Sequence, residues 1–294
     1  MRRHHTSHFS RTNNYHLSSI KSDSNRNTIS TRQYITSSGT HSFAHTDFNN
    51  CQATGSNYGG AIYCISGALR IEDCTFKNCQ SSDRSGAIFF SSPNLCNDTN
   101  NFFVNSSAEG YTGVFDEFRA TTSFHSSSTY MNSIAKGYFG ILNVEDTPDA
   151  TLSSCIFING SAIGGCGLLS LTKIKGIAKV SNCIFAKGSA NDYGGAFGTF
   201  GDYTNNPHPY FYFCYFSNNV CSNKNRGADF DANGTTGSLF SKEQIIHCFS
   251  SSRGVRIYIE GKSNSDVDNW LPQGRLVFPV DDCRDYRAAP IPTK

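Results

Sequence analysis

Hydrophobic positions in this chain recur on a long, fixed period rather than at helical spacing. Aromatic or apolar residues close a strand-like run at Phe48, Phe76, Phe103, Tyr130, Phe157, Phe185, Phe216 and Ile246, with spacings of 28, 27, 27, 27, 28, 31 and 30. Glycines open a second run at Gly60, Gly86, Gly113, Gly140, Gly167, Gly195, Gly227 and Gly254, with spacings of 26, 27, 27, 27, 28, 32 and 27. Two independent markers share one period, so the chain is an internal repeat. Each repeat holds two strand-like runs, such as Leu69–Phe76 and Gly86–Phe90, separated by turn residues.

A 27-residue unit of strand formers matches one coil of a parallel β-helix. Leucine-rich repeats are excluded by the rarity of Leu, and propeller blades need longer units. The expected fold is all-β: a right-handed, single-stranded parallel β-helix of about eight coils, its hand taken from the general rule for parallel crossovers. Residues 1–40 read as a polar, partly disordered tail and cap, 41–260 as the β-helix, and 261–294 as a C-terminal cap and tail. Ile29 to Ile35 is the expected cap strand.

Stacked coils turn sequence columns into side-chain ladders. Residues two apart on a strand share a face. The aromatic column Phe76, Phe103, Tyr130, Phe157, Phe185 and Phe216 should therefore fill the core beside Thr46, Cys74, Asn101, Ser128, Cys155, Cys183, Cys214 and Gln244. Thr75, Lys77, Thr129, Met131 and Ser217 should face outward. Two residues after the ring come Asn50, Asn78, Asn105, Asn132, Asn159 and Asn218, with Lys187 the exception. Asn tolerates a left-handed turn, and stacked amides can bond coil to coil.

Composition supports this picture. The chain has 39 Ser, 27 Asn and 26 Gly but only 11 Leu and 2 Met, which excludes a helical bundle. A net charge of +2 argues against a nucleic-acid partner. No apolar run has the length of a signal peptide or a membrane helix. Glycosylation acceptors occur at Asn97, Asn105, Asn159 and Asn233, but the ladder gives Asn105 and Asn159 a structural role.

Candidate chemistry is sparse, and no catalytic constellation is visible. Asp229-Phe230-Asp231-Ala232-Asn233-Gly234 follows the first six positions of a calcium loop, so Asp229, Asp231 and Asn233 are the metal candidates and calcium the one candidate cofactor. The twelfth position is Phe240, which supplies no ligand. A cross-strand ion pair of Asp229 with Arg256 on the next coil is the alternative. Asp229 and Asp231 should share a face, while the adjacent Asp116 and Glu117 should face opposite ways. Insertions near residues 201–210 and 221–226, together with the aromatic run after Pro207, nominate Tyr203, His208, Tyr210 and Tyr212 as ligand contacts. The twelve cysteines include no Cys-X-X-Cys pair. Cys155, Cys183 and Cys214 read as a buried thiol column, with Cys51 and Cys79 a second in-register pair.

The phrases Gly59-Gly60-Ala61-Ile62 and Phe76-Lys77-Asn78 resemble the repeats of polymorphic outer-membrane-protein-like surface proteins. The resemblance spans about residues 42–260 and implies a right-handed parallel β-helix of the pectin-lyase-like class. It departs from that pattern in the Asn, which here usually comes one residue earlier. It implies a non-catalytic cell-surface or adhesion-type protein that binds glycans or host or surface proteins. The alternative is a carbohydrate-active enzyme, a polysaccharide lyase or glycoside hydrolase. An extracellular or cell-surface location follows from the resemblance; with no visible signal peptide, the cytoplasm stays open. Oligomeric state is not readable from these residues.

Overall fold

The computed structural model describes residues 26–55, 57–200, 209–233 and 240–274. The chain is a parallel β-solenoid of about eight turns with roughly 27-residue spacing. Each turn crosses three sheets. The first includes Thr75–Lys77, Phe102–Val104 and Ile156–Ala162; the second, Ile88–Ser91, Phe115–Phe118 and Leu142–Glu145; the third, Leu95–Thr99, Thr122–Ser126 and Asp149–Ser153. Among the described residues, the ladder pairings are parallel and join one coil to the next.

The run Leu69–Phe76, expected as one strand, is two. It bends between Ala68–Glu72 and Thr75–Lys77 at Asp73, whose φ is 51°. Left-handed residues recur at this corner at Asn100, Ser127, Ser154 and Asn182. The corner moves the chain from the third sheet to the first, so each coil is three-sided.

The aromatic column fills the interior. Phe48, Phe76, Phe103, Tyr130, Phe157, Phe185 and Phe216 stack with centroids 4.6–5.0 Å apart and planes within 14°. That spacing is the strand-to-strand distance, so parallel register itself imposes the stacking. Cys74, Asn101, Ser128, Cys155, Cys183 and Cys214 are buried beside it. The glycine column has a steric cause: a Cβ on Gly86 would lie 2.3 Å from the Gly113 carbonyl oxygen, and one on Gly113 would lie 2.1 Å from that of Gly140.

Three expectations shift near the C-terminal coils. Phe216 pairs with Ser250, not Ile246; Ile246 lies on the third sheet beside Tyr212. The small-residue column accordingly continues at Cys248 rather than Gln244, and the Cys214 amide meets the Cys248 Sγ at 3.4 Å. Gly227 stands three residues before Phe230, as Gly194 does before Phe197, so Ala228 takes the place of Gly195. Extra residues lengthen these coils, and a fixed period cannot follow them. Met131 does sit on the outer face, yet it is buried in an apolar cluster with Ile158, Ile184 and Tyr215.

The segment expected as one cap strand, Ile29 to Ile35, is divided between two strands. Asn27–Ile29, Gln33–Ile35 and Thr40–Ala44 each pair with the following coil, so parallel pairing starts inside the segment 1–40. At the other end a helical turn, Asn264–Val267, leads into a second at Asp268–Trp270, and Val267 and Leu271 are buried in the core.

Candidate functional site

The outer face of the second sheet carries one row, with one residue from each coil: Tyr34, Tyr63, Phe89, Asp116, Asn143, Ser170, Gly198, Asp231 and Tyr258. The turns that enter this sheet lay a second column beside it. Two residues before each glycine, or Ala228, stand Tyr58, Arg84, Tyr111, Tyr138, Gly165, Tyr193 and Arg226.

Together these columns form a continuous strip along the rod. Tyr34 stacks on Tyr63 at 4.7 Å, and Tyr63 lies 5.6 Å from Phe89. The Arg84 guanidinium then bridges Phe89 at 5.5 Å and Tyr111 at 4.6 Å. Tyr111 meets Tyr138 at 5.3 Å, and Tyr138 reaches Phe200 through Phe139 at 6.2 and 6.3 Å. Tyr193 continues from Phe200 at 4.8 Å, and Arg226 joins Tyr193 at 4.7 Å to Tyr258 at 4.0 Å. Eight inter-strand steps make the strip roughly 38 Å long. Tyr34, Tyr111 and Tyr138 are 63%, 43% and 51% exposed, so ring surface is open to solvent along the first half.

Two ion pairs anchor the arginines from below. Arg84 Nε meets Asp116 Oδ2 at 2.7 Å, and Asn143 Nδ2 donates to Asp116 Oδ1 at 2.9 Å. Arg226 grips Asp231 with two bonds, at 2.8 and 2.6 Å. Both carboxylates are fully buried. Burial pushes the Asp116 carboxyl up against the pull of Arg84. Burial likewise pushes Asp231 up to about 7, against Arg226. The pairs fix the guanidinium planes so that each can lie against rings, the geometry in which Arg attracts an aromatic face.

Of the residues nominated from sequence, Asp231 lies on this strip and the other described ones fall elsewhere. Asp229 precedes the strand Phe230–Ala232 and occupies the inward column that Ala196 fills one coil earlier. Its carboxylate accepts from Asn219 at 2.9 Å, Ser252 at 2.6 Å and Ser250. Asp231 points outward, so the two aspartates do not share a face. The Asn233 amide donates to the Thr199 carbonyl at 3.1 Å. Among the described residues, no group of three or more His, Cys, Asp or Glu could hold a metal ion. Asp229 and Arg256 are register neighbours, the Asp229 amide donating to the Arg256 carbonyl at 3.0 Å. The Arg256 guanidinium donates to the Leu271 carbonyl at 2.5 Å. Tyr210 and Tyr212 stack 6.1 Å apart on the third sheet, away from the strip, while Phe211 between them fills the core. Tyr203 and His208 lie outside the described residues.

The cysteine column is as compact as its spacing implies: Cys155, Cys183, Cys214 and Cys248 are buried, and the eleven described cysteines are free thiols. Asp116 and Glu117 do face opposite ways, the first to Arg84 and the second into the core. No helix among the described residues is long and apolar enough to cross a membrane. No family model matches this chain, and no curated protein or solved structure matches it.

Proposed function

We propose that this solenoid is a non-catalytic binding protein and that the outer strip of its second sheet engages an extended glycan. The observation that carries this reading is the unbroken relay of rings and guanidinium groups from Tyr34 to Tyr258. Aromatic faces pack against the apolar faces of sugar rings, and their polar tips bond the hydroxyls. A strip that runs along the rod from coil to coil suits a chain ligand better than a compact one. The rigid ladders behind it hold each ring in place without a ligand, which lowers the cost of binding. The resemblance to outer-membrane-protein-like repeats points the same way, toward a surface or adhesion role.

A catalytic reading has one specific observation in its favour: Asp231 lies beside Arg226 and is pushed up to about 7, within range of proton transfer near neutral pH. One experiment separates the two. Purified protein is screened on an array of linear oligosaccharides and, in parallel, for release of new chain ends from the corresponding polysaccharides. Binding without turnover is expected. Turnover that disappears in Asp231→Asn would replace the binding reading with the enzymatic one.

A further inference from the structure

Inside the rod, His125 stands between two carboxylates. Its Nδ1 lies 3.0 Å from Asp98 Oδ2, and its Nε2 lies 3.2 Å from Glu117 Oε2. All three side chains are fully buried. A carboxylate oxygen can only accept, and a neutral imidazole carries a single N–H. With both carboxyls ionised, the two contacts are favourable together only for an imidazolium, which donates from both nitrogens.

The surroundings are built to hold that charge. The Tyr130 hydroxyl donates to Asp98 Oδ2, and Ser128 and Asn101 donate to Asp98 Oδ1. Ser123 donates to Glu117 Oε2 at 3.0 Å. The other titratable neighbours are thiols: Cys96 lies within electrostatic reach of both carboxylates, and Cys74 and Cys155 within reach of Asp98. Along the same column, Ile71 lies before Asp98 and Leu152 after His125, so the polar chamber is sealed at both ends.

We propose that this chamber is a proton-binding site: the folded solenoid captures one proton on His125, and that proton locks the second and third sheets together across its middle coils. Burial works against the charge, but the hydrogen bonds that Asp98 and Glu117 accept from the ring outweigh it and push the imidazole up to about 9. In the unfolded chain the ring titrates near 6.5. The folded value is the raised one, so the stabilisation is complete below about pH 6.5 and is lost as pH rises through about 9.

The test is a nitrogen-15 spectrum of the full chain labelled at histidine. The resonance of His125 is identified by its loss in His125→Gln. Should that variant not fold, the buried ring is recognised by N–H protons that survive transfer to heavy water. Both ring nitrogens should be protonated at about pH 7.5, with a midpoint near 9. A neutral ring at that pH, or a midpoint at or below 6.5, would overturn the proposal. A second readout is the urea midpoint across the same range. The wild-type folding equilibrium should weaken by up to about two orders of magnitude between pH 6.5 and 9.5. The double variant His125→Gln/Glu117→Gln should lack most of that slope; an equal slope in both proteins would also overturn the proposal.

Discussion

Asn159 Nδ2 donates to Asn132 Oδ1 at 2.9 Å, linking one coil to the next through two residues that share the left-handed conformation, at φ 56° and 55°. The same bond joins Asn105 to Asn78 at 3.3 Å and Asn78 to Asn50 at 3.1 Å. The ladder sits at the bend inside the first sheet, where each of these residues takes the left-handed conformation. Asn132→Ala should lose the amide bond and strain the backbone, lowering stability by about 1–2 kcal/mol in urea titration. Asn132→Gly relieves the strain and should cost less. Lys187 holds this conformation at φ 55° without an amide, so Lys187→Asn should stabilise by about 0.5–1 kcal/mol.

Phe157 lies flat between Tyr130 at 4.9 Å and Phe185 at 5.0 Å. Phe157→Ala should open a cavity in a column that cannot collapse, because the backbone ladder fixes the coil spacing. A loss of about 3–5 kcal/mol in urea titration is expected, with a smaller loss for Phe157→Leu. A loss below about 1 kcal/mol would mean that the rings do not stack.

Thiol access gives a third check. Cys155, Cys183, Cys214 and Cys248 are buried, and burial pushes the Cys155 and Cys214 thiols well up. Cys221 is partly exposed. Iodoacetamide labelling followed by mass spectrometry should modify Cys221 before the column in the folded protein. The column should react only after urea is added. Equal labelling of the column and Cys221 in the folded protein would contradict the packing.

Arg84 and Asp116 pair with the carboxylate fully covered and the guanidinium half-buried. Removing one partner leaves the other charge uncompensated, so Arg84→Ala should cost about 3–5 kcal/mol by thermal or urea unfolding. The double variant Arg84→Ala/Asp116→Ala should recover part of that loss, and strictly additive effects would argue that the pair does not interact.

Much of the architecture was legible because parallel stacking converts sequence period directly into contact. Phe76, Phe103, Tyr130 and Phe157 needed nothing more than a shared 27-residue step. Ile246 was misplaced because the lengthened last coils moved the true partner of Phe216 to Ser250. The strip was legible only in part. Tyr58, Arg84, Tyr111 and Tyr138 keep a fixed distance before the glycines, a signal as regular as the rings of the core. Their partners Tyr34, Tyr63 and Phe89 belong to a different phase of the repeat, so the spatial union of the two columns appears only when the turns fold over the sheet. His125 was hidden for another reason. Its column is apolar at Ile71, Leu152 and Val180, and only Asp98 and His125 depart from it. A period detects what recurs and passes over a feature that occurs once.

Binding along the strip is tested most directly by removing its exposed rings while leaving the core untouched. Wild-type protein and the triple variant Tyr34→Ala/Tyr111→Ala/Tyr138→Ala are compared on the same array of linear oligosaccharides, with circular dichroism to show that both are folded. The wild-type protein should bind, more tightly as the oligosaccharide lengthens, and the triple variant should lose at least about tenfold in affinity. Absence of binding by the wild-type protein, or equal binding by the two proteins, would contradict the assignment of this face as the ligand site.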